Sequence, residues 1–260
     1  MTNRISSLFQ KKSNSILNVY FTAGFPKLDD TLEIILHLAN SGVDLIEIGI
    51  PFSDPLADGP VIQESNQQAL ENGMSLRLLF EQLSMVRQHT QVPIVLMGYL
   101  NPVLQFGISE FVSQMEKCGI DGLILPDMPL HYYHSAMEQS LYQANIYPIF
   151  LITPQTSEER IRLIDQTSRG FIYMVSSNSI TGGRQKISDQ TDYFRRVASL
   201  DLKNPKLIGF GISGSDDFEL ACRYAQGGIV GSAFIRHLHA NDTSEASIRD
   251  FIQTLIPREA

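Results

Sequence analysis

Short, nearly unbroken apolar runs rich in branched side chains alternate along the chain with longer stretches whose apolar residues recur every three or four positions. The runs predict strands over residues 16–23, 43–50, 93–99, 122–126, 147–152, 170–176, 206–211 and 228–231. Between them, Leu32, Ile35, Leu36 and Ala39 mark one helical face, and Leu76, Leu79, Phe80 and Leu83 mark another. Phe218, Ala221, Cys222 and Ala225 repeat the pattern, as do Ile248, Phe251, Ile252 and Leu255. Thr156 followed by Glu159 reads as a capping box opening a helix. Strands apolar on both faces belong in a parallel sheet covered by helices. Eight strand–helix units in a chain of 260 residues predict an α/β fold, one (β/α)8 TIM barrel over residues 1–260, with residues 2–12 as a short N-terminal helix capping the barrel bottom. No Gly-x-Gly-x-x-Gly follows the first strand, which argues against a dinucleotide site. In this fold the chemistry gathers at the C-terminal ends of the strands.

One residue breaks the second strand. Glu47 stands among Leu45, Ile46, Ile48 and Ile50, late in the run, and by the two-residue period it shares a face with Leu45 and Gly49. The small Gly49 leaves room for a carboxylate to look into a cavity. An ionised carboxylate buried without a partner is costly, and burial raises its pKa by up to about 3–5 units, enough to let it give and take a proton near neutrality. The competing reading is a core ion pair, but strands one, three, four, five and six carry no Lys or Arg. The strand runs into a stiff loop, 51–60, holding three prolines and the further carboxylates Asp54 and Asp58. Asp54 before Pro55 reads as a turn former, and Asp58 as a candidate for the same site as Glu47.

Glycines cluster after the last three strands. Gly182 and Gly183 follow strand six, Gly209 and Gly211 end strand seven, and Gly231 with Ser232 precedes a short helical stretch. Glycines let the backbone approach an anion closely, and N–H groups at a helix start carry partial positive charge. Three such loops in succession predict a phosphate cradle.

Composition narrows the partners. Asp and Glu outnumber Lys and Arg by 28 to 20, giving a formal net charge of −8, which disfavours nucleic acid and anionic membrane surfaces. The N-terminus has no apolar signal region, and the apolar run 92–100 is too short to span a bilayer, so a cytoplasmic protein is expected. Cys118 and Cys222 read as small core residues.

The run from Leu45 to Gln63 closely resembles the signature of the tryptophan synthase α chain family. The resemblance continues through Tyr20 to Gly24, Met97 to Pro102, Gly209 to Ser213 and Gly231 to Ala233, and so covers nearly the whole chain in order. It implies a carbon–carbon lyase of tryptophan biosynthesis that cleaves indole-3-glycerol phosphate to indole and glyceraldehyde 3-phosphate by a retro-aldol reaction. Matched position by position, Glu47 would be the acid–base residue, taking the proton of the glycerol hydroxyl as the bond breaks. Asp58 would accept from the indole N–H and stabilise the positive charge formed when indole C3 is protonated. Gly182, Gly211, Gly231 and Ser232 would hold the phosphate. Tyr20, Met97, Tyr99, Ile124, Leu151 and Phe210 would wall the indole pocket, Tyr173 would lie by the glycerol chain, and Thr181 would sit on a mobile lid that meets Asp58. The resemblance implies no cofactor in this chain, with pyridoxal phosphate only in a partner β chain, and an α2β2 complex. The chain departs from the family pattern at Ser179, at Phe25-Pro26, at Gln226-Gly227-Gly228 and at residues 130–133, none of which is Glu47, Asp58 or a glycine of the cradle.

Three rivals remain to be weighed. A Schiff-base aldolase needs a lysine near the strand tops, but the lysines lie outside the strands or, for Lys206, at the wrong end of one. A metal aldolase needs clustered ligands, and none of the six histidines falls within a strand; His131 and His134 read as surface residues. A purely signalling subunit would not need Glu47 and Asp58 together.

Overall fold

The computed structural model describes residues 2–176 and 187–256. Among these residues nine parallel strands form one sheet: β1 (Ile16–Thr22), β2 (Leu45–Gly49), β3 (Ile94–Met97), β4 (Gly122–Ile124), β5 (Tyr147–Ile149), β6 (Leu151–Ile152), β7 (Ile172–Val175), β8 (Lys206–Gly209) and β9 (Gly227–Val230). Their spatial order is β5-β4-β3-β2-β1-β9-β8-β7-β6. The two edge strands, β5 and β6, are separated in the chain by Phe150 alone. They are two halves of the predicted fifth strand, one pairing with β4 and the other with β7. The sheet therefore curls into an α/β barrel whose seam is a single continuous segment.

All residues of β1, β2, β3, β4, β7 and β9 are buried, as the unbroken apolar runs require. The apolar helical faces form the outer layer: Ile34, Ile35 and Leu38 of the helix Asp30–Asn40 are buried, as are Leu79, Phe80 and Leu83 of the helix Leu76–Leu83. The helix Glu158–Thr167 starts one residue later than its sequence suggested. Ser157 is its cap, accepting from the N–H of Arg160 at 3.3 Å. The Thr156 hydroxyl is already committed to the preceding turn, where it accepts from the N–H of Thr153 at 2.9 Å. Both cysteines are free thiols; Cys118 is buried as expected, but Cys222 is only half-buried.

The bottom of the barrel is closed by the helix Arg4–Lys11. Asn3 caps it, accepting from Ile5 N–H at 2.9 Å, while its own amide donates to the carbonyls of Asp121 and Asn145 at 2.9 and 2.8 Å. Ile5 is fully buried against Gly122 and Gly170, where a Cβ would come within 3.1 and 3.0 Å of it. Asp121, 2% exposed, is gripped by Arg4 at 3.1 Å and Arg87 at 2.7 Å. The ionic grip thus lies at the end opposite the tops of the strands, where the fold presents its chemistry.

Candidate active site

At the tops of the strands lies a cavity of about 890 Å³, a size that suits a small-molecule ligand. Glu47, Asp58, Tyr20, Met97, Tyr173, Phe210, Gly211, Gly231 and Ser232 all contribute to its lining, so strands and loops distant in sequence converge as expected.

Glu47 stands on β2 directly beside Tyr20 of β1. It is fully buried. Among the described residues no Lys or Arg pairs with it; its partner is Asn18, whose amide donates to Oε2 at 2.9 Å. The other oxygen, Oε1, is buried without a hydrogen-bond partner among the described residues. Burial, first, pushes the Glu47 carboxyl up to about 8, the Asn18 bond opposes this, and the nearby Asp58 charge adds to it. The space over Gly49 has a different use from the one its small size suggested. A Cβ there would lie 2.1 Å from the Tyr20 hydroxyl, so the glycine makes room for the tyrosine. Gly209 does the same for Tyr173, whose hydroxyl would lie 2.4 Å from a Cβ at that position.

Asp58 hangs over the cavity from the loop after β2, and Tyr99 holds it there. The Tyr99 hydroxyl donates to Asp58 Oδ2 at 2.9 Å and accepts from the N–H of Ala57 at 3.0 Å, while Phe52 stacks on its ring at 5.2 Å. Burial raises the Asp58 carboxyl to about 6, against the lowering effect of the Tyr99 bond. Tyr20 and Tyr173 are held well above their ordinary range, chiefly by burial and then by the neighbouring carboxylates. Burial therefore favours the protonated form of Glu47 more strongly than that of Asp58 and keeps both phenols neutral.

After β8 and β9, Gly211 and Gly231 expose backbone to the cavity wall. Gly231 caps the helix Ser232–Ala240, and no side chain caps its first turn. The leading N–H groups of a helix have no partner within it and carry the positive end of its dipole. Gly211 sits at φ 81, a conformation glycine adopts freely, and Phe210 beside it is at φ 70. The Phe210 ring meets Tyr173 edge-on at 6.3 Å.

Some expected wall residues are not among those lining the cavity. Ile124 is fully buried on β4 and Leu151 half-buried on β6, and neither is among the cavity-lining residues. Tyr99 serves Asp58 through its hydroxyl. Thr181 and Gly182 lie outside the described residues. Sequence reasoning missed Asn18, Ser213, Asp217, Ile187 and Arg236; all but Asn18 line the cavity. Asn18 carried the same signal as Glu47, a polar residue interrupting an apolar strand. His134 is exposed and pairs with Glu138 at 3.0 Å, as a surface histidine should. Among the described residues no cluster of His, Cys, Asp and Glu is placed to hold a metal ion, and no helix is long and apolar enough to cross a membrane.

The family model for the tryptophan synthase alpha chain matches residues 6–257. The chain belongs to that family. It is 52% identical to the tryptophan synthase alpha chain of Flavobacterium psychrophilum over 246 residues, covering 94% of this chain and 97% of the relative. It is 51% identical to that of Christiangramia forsetii, covering 93% and 94%. Among solved structures, tryptophan synthase subunit alpha from Legionella pneumophila superposes with a TM-score of 0.85 at 31% identity, covering 98% of this chain and 97% of the other. A chain of tryptophan synthase from M. tuberculosis, in an aminoacrylate-bound form, gives 0.84 at 27% identity, with 98% of each chain covered. The alpha-chain family thus has the same barrel as this structure over nearly all of its length.

Proposed function

We propose that this chain cleaves indole-3-glycerol phosphate to indole and glyceraldehyde 3-phosphate, with Glu47 moving the protons and Asp58 stabilising the charged indole. The observation that carries the reading is a fully buried glutamate without a cationic partner among the described residues, set beside a second carboxylate on one large cavity. The step closes chemically without a metal or a Schiff base. Protonated Glu47 gives its proton to indole C3, making the ring cationic and an electron sink. Asp58 accepts from the indole N–H and opposes that charge. Glu47, now a carboxylate, takes the proton of the glycerol hydroxyl; the oxygen electrons form the aldehyde, and the carbon–carbon bond pair returns to the ring. Glu47 ends protonated, as it began. The arrangement works while Asp58 is ionised and Glu47 is not, between about pH 6 and about pH 8.

In this reading the phosphate rests on the backbone at Gly211, Gly231 and Ser232; Gly182 and Thr181, expected to share in phosphate binding and the lid, lie outside the described residues. Tyr20, Met97 and Phe210 wall the indole, with Ile124 and Leu151 behind them and Tyr99 fixing Asp58, while Tyr173 lies along the glycerol chain. The whole chain acts as one barrel unit in the cytoplasm and needs no cofactor of its own. A β chain carrying pyridoxal phosphate takes up the released indole in an α2β2 complex. The rim residue Leu56, 75% exposed on the same loop as Asp58, supports docking of a partner at the cavity mouth.

The test is to incubate the chain with indole-3-glycerol phosphate, with and without a β chain, and measure free indole. Release is expected, and Glu47→Gln should lose about 10²–10⁴-fold in turnover while keeping substrate affinity. Unchanged turnover in Glu47→Gln would remove the central assignment.

A further inference from the structure

Two polar side chains share the buried interior of the barrel beneath the cavity, and only one of them has a role so far. Asn18 is fully buried on β1, flanked by Leu17 and Val19. It lies opposite Leu45 in the β1–β2 pairing, one inward layer below Glu47, and its amide reaches up to Oε2 at 2.9 Å. Its own carbonyl oxygen, Oδ1, has no hydrogen-bond partner among the described residues. A buried amide with an unsatisfied oxygen is costly to keep, whereas an apolar residue of similar shape would satisfy the strand at no such cost. The bond to Glu47 is what Asn18 provides in return.

We propose that Asn18 is the positioning residue of the proton transfer: its amide pins Oε2 of Glu47 and so leaves Oε1 as the oxygen that gives and takes the proton. The proposal rests on the acid–base reading of Glu47. An oxygen accepting from an amide N–H is the poorer site for a proton, so the acidic hydrogen resides on Oε1. That oxygen is buried and has no partner among the described residues. The substrate would supply the partner, first indole C3 as proton acceptor and then the glycerol hydroxyl as donor. The same bond keeps the carboxyl acidic enough to release its proton, since it opposes the effect of burial.

Among the described residues, the other titratable groups facing Glu47 are Asp58 from the loop above, Tyr20 from β1 and Tyr173 from β7. β3 presents only the apolar Val95 and Met97 beside it, and the cavity lining also carries Arg236 and Asp217. None of these is removed by changing Asn18.

The test is the pH dependence of indole release in Asn18→Leu, which keeps the shape and lacks the donor. Hydrogen bonds to charged groups are strong enough that losing one should carry the alkaline limb of kcat/KM upward by roughly one pH unit. The acid limb, set by Asp58, should stay in place, and kcat should fall more than KM rises. An alkaline limb that stays in place would overturn the proposal. So would a downward move, which would show the amide accepting from the protonated carboxyl. Glu47→Gln is run beside it: an active Glu47→Gln removes the acid–base reading itself, whereas an inactive Glu47→Gln with an unmoved limb in Asn18→Leu removes only the role of Asn18. Should Asn18→Leu fail to fold, the wild-type protein gives a second measurement. The side-chain amide resonances of Asn18 should shift as Glu47 titrates, and the shift should vanish in Glu47→Gln; amide signals constant across that pH range would end the proposal.

Discussion

Tyr99→Phe is the sharpest probe of how the loop after β2 sets the working pH. The substitution keeps the ring that stacks on Phe52 and removes one oxygen, which donates to Asp58 Oδ2 at 2.9 Å and accepts from Ala57 N–H. Hydrogen bonds to ionised groups contribute about 1.5–3 kcal/mol when well formed, equivalent to roughly one to two pH units in the acceptor. Asp58 is only half-buried, so the lower end applies. The Asp58 carboxyl, at about 6 with the bond in place, then moves up by roughly one unit. At pH 7 its ionised share falls from roughly nine-tenths to roughly half. Initial rates of indole release from about pH 5 to about pH 9 would show the acid limb of kcat/KM displaced upward by that amount, with the alkaline limb unmoved. An acid limb that stays where it was, with the variant folded, would refute the assignment of that limb to Asp58.

Glu47→Gln should stabilise the fold as well as silence it. The native carboxyl titrates at about 8 against 4.5 in the unfolded chain, so the folded protein holds a proton that the unfolded chain has released. The stability tied to protonated Glu47 is full below about pH 4.5 and is lost as pH rises through about 8, a ceiling of about 5 kcal/mol. Denaturant unfolding of both proteins at acid and alkaline pH should show the advantage of Gln growing with pH; a constant difference contradicts the burial argument. Asp121→Ala leaves Arg4 and Arg87 without their shared carboxylate and should cost about 3–5 kcal/mol of stability while sparing kcat, because the site is at the other end of the barrel. Gly227→Ala should be among the worst single changes: its Cβ would lie 2.0 Å from the carbonyl oxygen of Ile16, backbone that cannot step aside, so a cost of at least about 3 kcal/mol is expected in a thermal melt.

The barrel was legible because strand burial on both faces leaves a plain mark, an apolar run without alternation. Glu47 was legible for the converse reason, as the charge such a run should not contain. Its partner was equally visible in form, yet an asparagine in a strand carries no charge to demand explanation, and its bond to Glu47 depends on the register between β1 and β2. Gly49 shows where one-dimensional reading stops. Its smallness is plain in the sequence, but whether it admits a carboxylate or a tyrosine is settled only by which side chain leans across from β1. The break at Phe150 and the one-residue offset of the Ser157 cap are likewise matters of backbone geometry. Arg236 stayed hidden because a helix places it on the cavity wall four residues beyond Ser232, a proximity that depends on the helical turn and not on any motif.

The left-handed backbone at Phe210 sets two demands against each other. A non-glycine residue held there forfeits about 1–2 kcal/mol, which glycine would recover at once. The ring lines the cavity in that posture, and a relaxed backbone would leave a gap in the wall. Variants chosen for heat tolerance alone should drift toward glycine at 210 and lose their grip on indole, so this single torsion marks where durability and recognition part company.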